Sequence, residues 1–444
     1  MKFNSILNFL QANRPKVKIV LLASIIYFFS YFQRIGIPGT IFNELQSSFN
    51  MSAGLVAMLG AIFLYIYGAM QLPAGMLADR LGGRRILVVG GSLLSLGSIL
   101  FPLAPSVSFL LFARALVGLG SSFIYLGIIK EIDSLFATKD FTIILGVILF
   151  IGYTGGLVST FPLERAVKFF GWRPALLTAG ILCSVSLIGF VFFIRNKNHL
   201  KNKIDSSSLL TIGKVLKNRD SYPVLILGAI NFGIYFLMQA TIGKKLLEDC
   251  FAISSKSAAS VTFLMMLTSM TFVFLSGFIS RYIGNRRKPI IIAATLTTLF
   301  SIVLMIIKIT FRTSSSWFLL SYILLAVSSA LCAPAAVTLM KELNPSESAG
   351  TSIGLINGGC YLTIALVTNF AGVVMDCFKD QVVKTGSAFV YPPDAYRTIL
   401  IGCFSIALCS FLVSFFVRES HGKNIYVVNG IISPKKQKNL TFPA

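Results

Sequence analysis

Twelve apolar runs, each near the roughly 20 residues that a helix needs to cross a hydrocarbon layer of about 30 Å, divide this chain between residues 18 and 417. They cover 18–41, 53–78, 86–105, 107–130, 141–163, 174–195, 221–243, 257–279, 289–308, 317–340, 350–375 and 397–417. A soluble domain does not repeat apolar runs of this length. In lipid every backbone N–H and C=O must find its partner inside the segment, which leaves helices. The predicted fold class is an all-α membrane protein of twelve transmembrane helices. Composition points the same way: 55% of residues are hydrophobic and 12% charged, with a mean hydropathy of +0.81.

The net charge of +23 would suggest nucleic-acid binding in a soluble protein. Here the basic residues sit in short clusters between apolar runs, without a continuous basic face, so no nucleic-acid partner is expected. With the N-terminus inside, 26 Lys and Arg fall in inner loops and tails, 11 in outer loops, and two, Arg34 and Arg114, within spans. That asymmetry predicts both termini in the cytoplasm of a cell membrane, most simply a bacterial inner membrane. The first apolar run is too long for a cleaved signal peptide and carries Arg34. Residues 195–220 hold seven basic and two acidic side chains and read as a topology-setting loop. The expected organisation is a six-helix half over 1–195, a basic cytoplasmic linker over 196–220, a second six-helix half over 221–417 and a cytoplasmic tail over 418–444. Seven scattered cysteines without a C-x-x-C pair indicate neither a metal site nor a disulfide framework.

The halves repeat. Gly75-Met76-Leu77-Ala78-Asp79-Arg80-Leu81-Gly82-Gly83-Arg84-Arg85 follows span two, and Gly277-Phe278-Ile279-Ser280-Arg281-Tyr282-Ile283-Gly284-Asn285-Arg286-Arg287 follows span eight, at an offset of 202 residues. Phe49 and Phe251 keep that offset, and Lys130-Glu131 ending span four is echoed by Lys341-Glu342 ending span ten. Parallel six-span repeats enclose one central site and work by rocking one half against the other.

The first of these loops resembles the signature of the major facilitator superfamily, and the twelve spans with a basic central loop are similar to that family over nearly the whole chain. The resemblance implies secondary transport by alternating access, usually as a monomer. It also implies that Gly75, Asp79, Arg80, Gly82, Arg84 and Arg85, with Gly284, Arg286 and Arg287, latch the halves on the cytoplasmic side. Arg281 replaces the acid in the second copy, which breaks the symmetry of that latch. Arg114-Ala115-Leu116-Val117-Gly118-Leu119-Gly120 resembles the family's R-x-x-x-G-x-G element: Gly118 and Gly120 permit close helix contact, and Arg114 bonds oxygens inside the bundle, a structural role. Span five reads Ile151-Gly152 where the family's drug/proton antiporters carry Gly-Pro, which counts against a multidrug exporter.

Substrate chemistry turns on Arg34, an ionisable residue well past the middle of span one. Its planar fork suits a carboxylate or phosphate, and the aromatic-x-x-Arg arrangement of Tyr31 to Arg34 resembles the superfamily's organic phosphate and organic anion transporters, whose span-one arginine contacts substrate. Tyr27, Tyr31 and Gln33 in span one, Tyr65, Tyr67 and Gln71 in span two, Tyr125 in span four and Tyr153 in span five have the potential to line the site. Asn231, Tyr235 and Gln239 share one face of span seven at i, i+4 and i+8, and Asn357 and Tyr361 repeat the i, i+4 spacing in span eleven.

All sixteen acids fall in loops or at span ends, and the two histidines, His199 and His421, lie in cytoplasmic segments. That leans toward facilitated diffusion, exchange, or coupling through the substrate or a span-end acid such as Glu44, Glu131 or Asp376; the coupling ion itself is not legible. No nucleotide loop, metal motif or nucleophile–base pair is present, so neither an enzyme nor a cofactor is expected. The expected substrate is a small organic anion, with amino acids, small peptides and siderophores as alternatives. A sensor built on a transporter scaffold would normally add a signalling domain, and only 27 residues follow residue 417.

Overall fold

The structure, a computed structural model, describes residues 14–136, 138–194, 213, 215–311, 316–345, 349–385 and 388–426. Most of the linker 196–220, the tail beyond 426 and His199 therefore lie outside the described residues, as does the side chain of Asp79. Ten helices are long and apolar enough to cross a membrane, and the count rises to as many as twelve when the bent pairs Phe42–Phe49 with Ala53–Ala69 and Val147–Val158 with Phe161–Phe170 each contribute one span. In chain order the spans run Arg14–Gly36, Ala53–Leu81, Gly83–Leu100, Val107–Leu135, Thr138–Val158 and Trp172–Ile194, then Ser221–Ala240, Ser255–Tyr282, Lys288–Phe311, Ser316–Leu343, Ala349–Cys377 and Pro393–Ser414. Alternation of the spans defines two faces: a linker face, where residues 195–220 lie, and a far face. The far face carries three short helices, Phe42–Phe49, Phe161–Phe170 and Gly243–Phe251, and a small hairpin in which β1 (Val383–Thr385) pairs antiparallel with β2 (Ala388–Val390).

The predicted spans sit within about five residues of these helices: span four runs on to Leu135 rather than 130, and proline accounts for differences in spans one, two and twelve. Span one ends at Gly36 rather than 41 because Pro38 has no N–H to continue the ladder. Span two is broken at Met70 into Ala53–Ala69 and Gln71–Leu81. Pro73 lies four residues beyond Ala69, whose carbonyl its ring would meet in an unbroken helix. Pro393 at the first position of span twelve starts that helix four residues before the predicted 397.

The 202-residue offset reappears in the backbone. Asn50 and Ala252 close the two far-face helices in the left-handed region, at φ 48° and 50°. Ser52 and Ser254 then cap spans two and eight, their hydroxyls accepting from the backbone N–H groups of Leu55 (3.2 Å) and Ser257 (3.3 Å). Gly82 and Gly284 turn the chain at φ 81° and 71° on the linker face.

Inside the first six spans Arg114 is the principal polar fastener. It is fully buried, and its guanidinium donates to the carbonyls of Leu59 (3.1 Å), Gln33 (3.1 Å) and Ile37 (3.2 Å), joining span four to spans one and two. Gly118 lets those spans approach, since a Cβ there would stand 2.8 Å from the carbonyl oxygen of Phe63; at Gly120 it would stand 2.6 Å from that of Gly90.

Two arginines of the repeated loops are bound within their own six spans. Arg84 pairs with buried Glu131 at 2.6 Å, tying span three to span four, and Arg287 pairs with Glu342 at 3.2 Å, tying span nine to span ten. Arg80, Arg85 and Arg286 are exposed, and a Cβ on Gly75, Gly82 or Gly284 would meet nothing within 4 Å. Among the described residues no hydrogen bond or ion pair joins these arginines to the other six spans.

The chain beyond span twelve folds back over this face. Glu419 accepts from the backbone N–H groups of Arg287 and Lys288, each at 2.9 Å, and so caps span nine. Partial burial pushes its carboxyl up, but these bonds and those from His421 and Ser420 outweigh it and hold the carboxyl below the usual range. A depressed carboxyl stabilises above its unfolded value and loses that contribution as pH falls through its folded one. Glu419→Ala is expected to lower stability by about 1 kcal/mol at neutral pH. Melting curves of the two proteins should converge on acidification; a deficit that persisted in acid would show that the cap is not ionic.

Candidate functional site

A cavity of about 330 Å³ lies between the first six and the last six spans. Its outer end is built by span one, whose Tyr27, Tyr31 and Arg34 fall on one helical face at spacings of four and three. Gly152 on span five makes room for this wall, because a Cβ there would lie 2.5 Å from the Tyr27 ring. The tyrosines interlock: Tyr27 stands edge-on to Tyr31 at 5.1 Å and stacks on Tyr125 at 5.7 Å, and Tyr31 meets Tyr153 edge-on at 5.2 Å.

Arg34 is 2% exposed, and its guanidinium carbon sits 4.3 Å from the ring centre of Tyr67, 4.6 Å from Tyr31 and 5.0 Å from Tyr361. These π faces stabilise a cation without neutralising it. Its Nη1 donates to the Tyr361 hydroxyl at 2.6 Å, bridging span one to span eleven. Nε and Nη2, which share one edge of the guanidinium, donate to no protein atom. That edge is the fork that receives both oxygens of a carboxylate. Arg34 is also the sole charged group among the described residues lining the cavity.

Of the predicted lining residues, the cavity wall takes Tyr27, Tyr31, Arg34, Tyr67, Tyr125, Tyr153, Tyr235, Asn357 and Tyr361. Gln33, Tyr65, Gln71, Asn231 and Gln239 are not among the lining residues. Gln33, one residue from Arg34, points about 100° away from it around the helix. Gln71 bonds back to the Tyr67 carbonyl at 3.3 Å. The span-seven stripe divides: Tyr235 faces the cavity, whereas Asn231 donates to Thr298 (2.7 Å) and Ser328 (3.0 Å) and Gln239 to the Thr262 carbonyl (3.1 Å). The remaining wall includes Phe232, Met266, Ser269, Met270 and Pro334, which no charge or motif distinguishes in the sequence.

The far face seals the cavity. The Gly39 N–H donates to the Ala240 carbonyl at 2.9 Å, joining the ends of spans one and seven. Asp376 at the end of span eleven accepts from Ser52 and from the Gly54 N–H, each at 2.9 Å, at the start of span two. Gly39 is required there, since a Cβ would stand 2.6 Å from the oxygen of Ala240. Gly39→Ala is therefore expected to destabilise this closure, read as faster amide exchange over 37–43 and 240–246; unchanged exchange would show that the joint is not strained.

Membrane-crossing helices around a central cavity that holds a buried cationic fork define a multi-pass membrane protein. A family model described as Major Facilitator Superfamily matches residues 23–368, and the chain belongs to that family. It is similar to the "Probable L-galactonate transporter" of Escherichia coli, 27% identical over 176 residues, covering 40% of this chain and 39% of that protein. It is also similar to a "Probable sulfoacetate transporter" of Cupriavidus necator, 21% identical over 189 residues, 43% of this chain and 44% of the relative. The matches thus span about two fifths of each relative's length. Among solved structures, a bacterial homolog of the human lysosomal transporter Spinster, inward-facing and unoccupied, shares the fold with a TM-score of 0.74 at 15% identity over 91% of this chain and 98% of that one.

Proposed function

We propose that this transporter carries a small organic anion, a carboxylate-bearing metabolite, by alternating access, with residues 1–195 and 221–417 rocking about the cavity and both termini in the cytoplasm. One observation carries this reading: the Nε and Nη2 edge of Arg34 has no protein acceptor, in a cavity with no carboxylate among its described lining residues. A substrate carboxylate supplies the missing charge, and burial among aromatic rings strengthens the pairing relative to water. Tyr27, Tyr31, Tyr153, Tyr235, Asn357 and Tyr361 would hold the body of the substrate. The relatives named for galactonate and sulfoacetate, both organic anions, support the same substrate class. The repeated arginine loops would engage across the linker face only when the carrier opens to the far side.

The test is thermal stabilisation of the detergent-purified protein by a metabolite library, run in parallel on wild type and Arg34→Ala, because a ligand that binds the folded state raises its melting temperature. Carboxylates or phosphates should stabilise wild type alone. Neutral or cationic compounds that stabilised both proteins equally would make Arg34 structural and the substrate class wrong.

A further inference from the structure

We propose that the carried anion is a monocarboxylate with an apolar body, aromatic or alkyl, and neither a polyhydroxylated acid nor a dianion. The proposal rests on the Arg34 reading above and adds what the rest of the cavity selects.

The two walls of the cavity differ. The first six spans supply Arg34 and the rings of Tyr27, Tyr31, Tyr67, Tyr125 and Tyr153. The last six spans oppose them with Phe232, Met266, Met270, Val273, Pro334 and Val337. On spans seven, eight, ten and eleven the lining residue nearest the linker face carries no polar side chain: Gly228, Val273, Val337 and Ile356. Charge is thus confined to the end where Arg34 lies. Apart from Arg34, the tyrosines and the weakly polar Cys360, the polar side chains on the described wall are Ser269, Ser329 and Asn357.

Two of the tyrosine hydroxyls are engaged within the protein. Tyr361 accepts from Arg34 at 2.6 Å, and Tyr235 donates to the Met266 sulfur at 3.8 Å. The rings of Tyr27, Tyr31, Tyr125 and Tyr153 pack on one another and offer aromatic surface, which suits an apolar body.

A polyhydroxylated body carries a donor and an acceptor on nearly every carbon, and each one left without a partner costs its full desolvation. The wall of the last six spans has too few polar groups to receive them. A second carboxylate fares worse, because Arg34 is the sole charged group among the described lining residues. Alternating access requires the loaded cavity to close on both faces, so that second charge would be buried without a counterion. Methylenes and rings, by contrast, gain from the same transfer.

The test compares hexanoate, gluconate and adipate, which share one carbon skeleton and differ in hydroxyls or a second carboxylate. The Kd of each, and of butanoate, is measured by thermal titration of the detergent-purified full chain, as wild type and Arg34→Ala. Hexanoate should bind wild type about tenfold tighter than butanoate, because each buried methylene contributes about fourfold. Gluconate and adipate should bind at least about a hundredfold more weakly than hexanoate. Met270→Gln, close in shape but polar, should weaken hexanoate about tenfold. The ranking on wild type stands without that variant if it does not fold. Gluconate or adipate binding as tightly as hexanoate, and losing that affinity in Arg34→Ala, would overturn the apolar body while leaving the anion fork intact. Hexanoate binding equally to wild type and Arg34→Ala would overturn both readings. A Met270→Gln protein that bound hexanoate like wild type would place the body off this wall and overturn the proposal as well.

Discussion

Arg34→Ala is expected to abolish high-affinity binding of a carboxylate substrate while leaving a folded protein. The side chain makes one protein hydrogen bond, to Tyr361, so its removal costs the fold little. Removing the fork from a bound carboxylate costs about 3 kcal/mol or more, roughly a hundredfold in Kd. Arg34→Lys retains the charge but not the two parallel donors, and a loss of about tenfold is expected, between wild type and alanine. Tyr361→Phe frees Nη1 and removes the bridge between spans one and eleven, with an expected change of about 1 kcal/mol. Thermal titration of the four proteins with one carboxylate ligand gives the ranking. Alanine within about threefold of wild type would place the anion elsewhere.

The second large effect is on folding rather than binding. Arg114→Met is expected to destabilise the first six spans by about 3–5 kcal/mol, the cost of breaking a buried ionic hydrogen-bond network by removing one partner. The carbonyls of Leu59, Gln33 and Ile37 each lose a donor in a region without water to replace it. Set against a total stability of about 5–15 kcal/mol, that loss should remove most of the monodisperse protein recovered in detergent. Arg114→Lys should recover part of the yield, because one ammonium cannot span three carbonyls on two helices. A methionine variant melting within a few degrees of wild type would show that the carbonyls find other partners. The contrast between the two arginines is geometric: Arg114 spends its donors on backbone and is a fastener, whereas Arg34 keeps a free edge in a cavity.

Much of the fold was legible because bilayer thickness acts on every span separately. Helix count, approximate boundaries and the turns at Gly82 and Gly284 follow from local rules of length, hydropathy and backbone conformation. Arg34 was legible for a related reason: an arginine in an apolar run is conspicuous whatever surrounds it. The span-seven stripe shows where local rules stop. Spacing puts Asn231, Tyr235 and Gln239 on one face, yet each meets a different neighbour, and only Tyr235 meets the cavity.

The sequence by itself determined a twelve-span membrane chain with two arginines inside its spans, because hydrophobic length, turn chemistry and the cost of a buried charge are properties of short segments. Only the tertiary structure decided which arginine has spare donors and which polar side chains are consumed by other helices. Those outcomes depend on contacts between residues hundreds of positions apart, and no local pattern records which helix face will meet which neighbour.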